Sequence, residues 1–269
     1  MPRVGIQSAE DVRIRAYREL PRRKASRRQP HFVVEGRWLV RRLIRSDLEV
    51  ASVLCREHQA DEFAGVGENV PIYVASSEVI SEIVGFEFHR GVLACGHRPH
   101  RRGFEDVVQQ MQKSSLLATC AGVCDQENLG SVIRNCQALG VGALLLDSRC
   151  ADPYSRRVMR VSAGAALNLP IVECDDLWRD LKKLRSDSGF HLVAAVLDCE
   201  TATLEESSIH PRMVVLFGNE GFGLDDQATT ICDQRVTLPM QGGVDSLNIG
   251  VASGIFLHHY ASRQRSLDI

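Results

Sequence analysis

The chain has 269 residues, 44% hydrophobic and 25% charged, ordinary values for a globular protein of one or two domains. No apolar run reaches the roughly 18 residues of a membrane-spanning helix, and the charged opening MPRVGIQSAEDVRIRAYREL lacks the apolar core of a secretory leader. Nine cysteines without a C-x-x-C pair exclude zinc-ribbon spacing and fit reduced thiols in a cytoplasm. The net charge of −2 hides a split: residues 1–45 carry 13 Lys+Arg against 4 Asp+Glu, the remainder 19 against 30, so a basic front sits on an acidic body. Such a front suits a polyanionic partner and equally describes a solvated arm.

Residues 1–30, with PRRKASRRQP, read as a basic flexible arm. Its candidate polyanion contacts are Arg22, Arg23, Lys24, Arg27 and Arg28. A small α/β domain over 31–97 follows. Its strands are HFVVEG, ASVLC, PIYVAS and GVLACGH; its helices are GRWLVRRLIRS, with Leu39, Val40, Leu43 and Ile44 on one face, and SSEVISEIVG. Residues 98–112 are polar and read as a linker. From 113 to 269 strand and helix alternate. The strands are LLATCAGV, GALLLD, LPIVEC, FHLVAAVLD, MVVLFGN and RVTLP, with helices starting near Leu129, Ser155, Asp175, Leu224 and Leu247. Continuous apolar strands between helices predict a parallel sheet covered on both faces, with its ligand beyond the carboxyl ends of the strands.

Three strand ends open into loops rich in Gly, Asn, Glu and Ser. The first, Asp125 to Asn135, has Asn128 as a helix-cap candidate and places Arg134 six residues on. Taken alone it is also an ordinary capped helix with a surface arginine. The second, Leu216 to Leu224, holds three glycines in six residues. Their order, G-x-x-G-x-G, is not the dinucleotide fingerprint, and the Lys-Ser/Thr of a phosphate-cradling loop is absent. The third, Leu238 to Asn248, enters IGVASGIFLHHY, where Asp245 or Ser246 can cap a helix apolar on nearly every side. One face of that helix can meet the sheet; a second subunit or a larger core must cover the other. The nine histidines lack ligand spacing, so no metal site is expected.

The order and spacing of these loops resemble the three signature motifs of the SpoU (TrmH) family of RNA ribose 2′-O-methyltransferases, within the SPOUT superfamily. The matching residues are Asn128, Gly130, Arg134 and Asn135; Gly218, Glu220, Gly223 and Leu224; and Pro239, Met240, Ser246, Leu247 and Asn248. RVSAGAALNLP (160–170) is similar to the stretch between the family's first two motifs. FVVEG and HRGVLA resemble its small front domain, so the likeness spans about 32–262. Gln126 departs from the family, whose members often have proline there. The resemblance implies a C-terminal α/β trefoil-knot methyltransferase domain with a smaller N-terminal α/β substrate-binding domain. It also implies S-adenosylmethionine as cofactor, held by Val196, Gly218, Leu238, Met240 and Leu247, RNA as substrate and a homodimer. Arg134 is implied as the central catalytic residue, with Asn128 and Asn248 orienting it and the ribose, Ser246 as a proton route, and Glu220 anchoring the second loop by accepting backbone N–H bonds. Asn135 joins the basic arm as an RNA contact. Ribosomal RNA is the expected substrate. Transfer RNA, an inactive RNA-binding protein of this fold and, more remotely, a nicotinamide enzyme are the alternatives.

Overall fold

A computed structural model of the chain describes residues 3–18, 29–84, 91–101, 103–111 and 115–266. Arg22, Arg23, Lys24, Arg27 and Arg28 lie outside the described residues. In chain order the first half holds β1 (Arg3–Ile6), α1 (Arg15–Arg18), β2 (His31–Glu35), α2 (Arg37–Ile44), β3 (Val50–Cys55), β4 (Ile72–Ala75), α3 (Ser77–Val84), β5 (Val92–His97), α4 (Phe104–Gln109), β6 (Ser115–Cys120) and α5 (Gln126–Leu139). The second half holds β7 (Ala143–Leu146), α6 (Arg156–Val161), β8 (Ile171–Glu173), α7 (Leu177–Ser188), β9 (His191–Ala195), β10 (Ala202–Thr203), β11 (Arg212–Phe217), α8 (Asp226–Ile231), β12 (Gln234–Thr237) and α9 (Ile249–Arg265). The chain divides into two compact units, Met1–His100 with Asp152–Asn168, and Arg101–Ala151 with Leu169–Ile269.

The first unit is built on a mixed five-stranded sheet of order β1-β4-β3-β5-β2. β5 runs antiparallel to both β2 and β3, and β4 runs parallel to β1 and β3. Residues 3–18 are part of this body, which corrects the reading of a flexible arm over 1–30. Arg3 to Ile6 pair with Ile72 to Ala75, and Ile6, Ile14 and Tyr17 are buried. The Tyr17 hydroxyl is 2.8 Å from Ser52 Oγ, and burial holds its phenol well above its usual range. Three large side chains, Ile6, Ile14 and Tyr17, anchor a stretch rich in charge; their burial outweighs the chain entropy lost.

Residues 152–168 complete the same unit, so the boundary expected at 113 does not hold for them. Glu35, buried at the end of β2, forms ion pairs with Arg156 and Arg160 of α6. Arg98 grips the buried Asp152 through two bonds of 2.9 and 2.8 Å. A cut after residue 112 would therefore strip α6 of its partners.

The second unit carries a seven-stranded sheet of order β10-β12-β9-β11-β6-β7-β8, parallel at every pairing. β6 and β7 are buried at every position, as strands covered on both faces must be. The segment expected to be a linker holds α4, whose Val107 joins the core formed by Leu117, Leu181 and Leu184. Glu105 of α4 is bonded to Lys183 of α7 at 3.0 Å. Among the described residues no helix is long and apolar enough to cross a membrane, and no three His, Cys, Asp or Glu side chains converge to hold a metal ion.

Candidate active site

The three loops leave the carboxyl ends of β6, β11 and β12. The first turns at Gly122 (φ 73°) and starts α5 at Asp125, whose carboxylate accepts from the backbone N–H groups of Glu127 and Asn128. Asp125, not Asn128, is the cap. That frees the Asn128 side chain for the site. α5 stops at Gly140, in the left-handed conformation a C-cap requires.

The second loop closes on itself. Asn219 and Gly223 exchange backbone bonds of 2.9 Å, and Asn219 Oδ1 accepts from Gly221 N and Phe222 N. A Cβ on Gly218 would lie 2.2 Å from the Gly223 carbonyl carbon, so only glycine allows this turn.

The third loop reaches α9 through Asn248, whose Oδ1 accepts from Gly250 N at 2.8 Å. The cap is therefore Asn248, not Asp245 or Ser246. α9 lies against α5 at its glycines: a Cβ on Gly250 would meet Ser131 at 2.7 Å, and one on Gly254 would meet Asn135 at 3.3 Å.

One polar chain joins all three loops. Asn248 Nδ2 donates to Asn128 Oδ1 at 2.8 Å, and Asn128 Nδ2 donates to Glu220 Oε1 at 3.0 Å. The same carboxylate oxygen accepts from Asp125 N at 3.3 Å. Glu220 thus fastens the second loop to the first, accepting from the Asp125 backbone N–H and from the Asn128 amide. Asn219 bonds its own loop's backbone, and its Nδ2 also donates to Gly122 O at 2.7 Å and to Glu220 Oε2 at 3.3 Å. Sequence reading missed Asn219, although a short amide among glycines is a turn-stabilising signal.

Beside this chain lies a cavity of about 220 Å³. Every residue expected to hold the cofactor lines it: Val196, Gly218, Leu238, Met240 and Leu247. Asn128, Glu220, Ser246 and Asn248 line it too, with Phe256 and Ala252 from α9. No Lys or Arg is among the lining residues, and the single charged one is Glu220. Apolar walls, bare glycine backbone, carboxamides and one carboxylate suit a neutral ring and a cationic group. They do not suit a phosphate, which needs donors and positive charge.

Arg134 and Asn135 are not brought into the cavity. Arg134 is exposed on α5 and makes no hydrogen bond or ion pair with a described residue. Asn128 and Asn248 bond each other instead of orienting it. Asn135 Nδ2 is committed to α9, donating to Gly250 O at 2.6 Å and Ser253 Oγ at 3.0 Å. Its donor hydrogens work inside the chain, leaving at most the carbonyl oxygen for RNA.

The model of the SpoU rRNA Methylase family matches residues 115–258, a span that contains every lining residue of the cavity. An uncharacterized tRNA/rRNA methyltransferase of Mycobacterium tuberculosis is 36% identical over 230 residues, covering 83% of this chain and 78% of the relative. The 23S rRNA (guanosine-2′-O-)-methyltransferase RlmB of Escherichia coli is 29% identical over 202 residues, covering 74% of this chain and 82% of RlmB. The fold is that of the AdoMet-bound rRNA methyltransferase from Sinorhizobium meliloti, with a TM-score of 0.86 at 22% identity, covering 97% of this chain and 98% of that one. A family pattern over just over half the chain, together with a relative this similar over most of its length, leaves one assignment: the chain belongs to the SpoU rRNA methylase family.

Proposed function

We propose that the protein transfers a methyl group from S-adenosylmethionine to a ribose 2′-hydroxyl of RNA, ribosomal RNA before transfer RNA. The observation that carries the reading is the cavity: three loops of a family methyltransferase domain enclose a cation-tolerant, phosphate-averse pocket tied together through Asn248, Asn128 and Glu220. The preference for ribosomal RNA follows the relatives named as 23S rRNA enzymes. When bound, S-adenosylmethionine supplies a methyl group on a positively charged sulfur.

The chain's own part is positioning. Val196, Leu238, Met240 and Leu247 form the apolar walls, and the Glu220 carboxylate offsets positive charge. Arg134, exposed and without a partner among the described residues, grips a phosphate beside the target ribose as a two-pronged fork and so aligns the hydroxyl. Alignment of this kind is worth up to about 7–11 kcal/mol of barrier. Ser246 Oγ, which makes no hydrogen bond with a described residue, is the protein group through which the hydroxyl proton passes to water. The basic residues Arg22, Arg23, Lys24, Arg27 and Arg28 add salt-sensitive attraction to the RNA backbone.

The finer reading includes a trefoil knot in the second unit, a homodimer and a cytoplasmic location. Val251 and Ile255, four residues apart on α9, are 53% and 39% exposed, and a second copy packed there would cover them.

Calorimetry tests the cofactor assignment. S-adenosylmethionine should bind without added metal and NAD should not compete; binding of NAD alone would refute it. In the same assay Glu220→Gln keeps one acceptor oxygen but sets an amide N–H₂ against Asn219 Nδ2. The expected loss is about tenfold in S-adenosylmethionine affinity, the lower end of what a hydrogen bond to a charged group contributes. Unchanged affinity would mean that the Glu220 tie does not hold the pocket.

A further inference from the structure

The first unit presents an exposed aromatic ring inside a cluster of guanidinium groups that the cofactor cavity does not use. α2 follows β2 directly and buries Leu39, Val40 and Leu43, which turns Arg37, Trp38 and Arg41 outward. Trp38 is 55% exposed, unusual for a residue type that is highly buried on average. Trp178, by contrast, packs partly buried against the core of the second unit.

Trp38 is held, not loose. The Arg42 guanidinium carbon lies 4.9 Å from the ring centroid, and Arg42 Nη1 donates to the Ala163 carbonyl at 3.1 Å. Ala163 has φ 51°, the one described non-glycine residue in the left-handed region, a conformation that persists only where its surroundings impose it. The ring borders a cavity of about 580 Å³ that Glu35, Gln59 and Arg160 also line. Buried Glu35 fixes Arg160 and Arg156, while Glu62 fixes Arg37 and Arg41 at 2.9 and 3.0 Å. Arg42 therefore lies over the indole and Arg37 and Arg160 share its cavity, while Arg41 and Arg156 are tied to the same two carboxylates that hold Arg37 and Arg160.

We infer that Trp38 is a stacking platform for an unpaired RNA base, with the surrounding arginines holding its neighbouring phosphates. The inference rests on the proposed function in taking RNA as the ligand. Stacking needs accessible ring surface, and Trp38 is 55% exposed, while a cation over a ring fixes it in place. Arg37 and Arg160 are already held by carboxylates and Arg42 by the Ala163 carbonyl, so little side-chain freedom is lost when phosphate arrives. A lipid surface would ask for a broader apolar patch, and Trp38 is the only exposed large hydrophobic residue among those lining this cavity. A continuous duplex would keep its bases stacked on each other, so the fitting RNA is a loop, bulge or end.

The test uses the full chain carrying Trp178→Phe, which leaves Trp38 as the sole tryptophan. Its emission should be quenched saturably by an unstructured 12-nucleotide RNA of mixed sequence, and much less by a hairpin duplex of the same mass. In the otherwise wild-type chain, Trp38→Ala should weaken binding of the 12-nucleotide RNA about five- to hundredfold, the usual loss for one stacked base. Trp38→Phe should restore part of it. S-adenosylmethionine affinity, which depends on the other unit, should stay unchanged in both variants, and circular dichroism reports that they fold. Quenching absent at saturating RNA, equal quenching by duplex, or wild-type affinity in Trp38→Ala would overturn the inference. If the wild-type chain bound no RNA, the inference and the RNA substrate would fall together. Methyl transfer with an unaltered KM for RNA in Trp38→Ala would sink the stacking site and leave the proposed function standing.

Discussion

Arg134→Ala should lower methyl transfer at saturating RNA by about 10²–10³-fold, the cost of losing one preorganised group at a reacting centre, while leaving S-adenosylmethionine affinity nearly unchanged. The two effects separate because Arg134 is exposed on α5 and lines no part of the cofactor cavity. A residue that completes the site only when RNA arrives has no partner before it does, and Arg134 has none among the described residues. Its replacement by lysine sorts the roles. As a phosphate fork, Arg134 is imperfectly replaced by a point charge, and Arg134→Lys keeps a fraction of the rate with a pH profile like that of the parent. As a proton acceptor it would be better replaced by lysine, whose unperturbed pKa lies near 10.4, and the variant's rate would climb at high pH. Guanidinium groups do not give up a proton in proteins, so the first outcome is expected. Wild-type turnover in Arg134→Ala would remove the active site from this loop.

Gly218→Ala should reduce S-adenosylmethionine affinity by about a hundredfold or more while the rest of the chain stays folded, on the ground that a backbone clash cannot be relieved by a rotamer change. The added Cβ would sit 2.2 Å from the Gly223 carbonyl carbon and 2.4 Å from both its oxygen and Leu224 N. To make room, the second loop must open, and Asn219, Glu220 and Gly223 move with it; all three line the cavity. Gly221→Ala is the control, since its Cβ would find nothing nearer than Asn219 Oδ1 at 3.6 Å. Calorimetry on the pair, with circular dichroism to report folding, should show near-normal binding for Gly221→Ala. Equal affinities for the two variants would mean that the closed turn does not shape the pocket.

The parallel sheet was legible because its strands are buried on both faces and read as unbroken apolar runs, such as ALLL in β7 and MVVLF in β11. The lining of the cavity was legible through the resemblance of the three loops to the family's motifs; taken alone, the first also read as an ordinary capped helix. What escaped the sequence depends on long-range partners. Residues 3–18 look like a charged arm until Ile6, Ile14 and Tyr17 are seen to share a core with Val33, Leu54 and Ile80. Nothing local says that Arg156 and Arg160 belong with Glu35, over a hundred residues earlier. Asp125 and Asn128 are both good cap residues, and the choice between them follows from Glu220 taking the Asn128 amide. Arg134 lies off the cavity because it and Asn128 both belong to α5, where a six-residue step turns about 240° round the axis.

The most direct test of the central claim follows the methyl group itself. The full chain is incubated with ribosomal RNA and S-adenosylmethionine labelled on the methyl, and the RNA is then hydrolysed in alkali. Cleavage needs a free 2′-hydroxyl, so a methylated ribose protects the linkage on its 3′ side. Label recovered in alkali-stable dinucleotides, and lost with Arg134→Ala, is the expected result. Label recovered only in mononucleotides would place the methyl on a base, and absence of label in an RNA lacking prior modification would contradict the assigned activity.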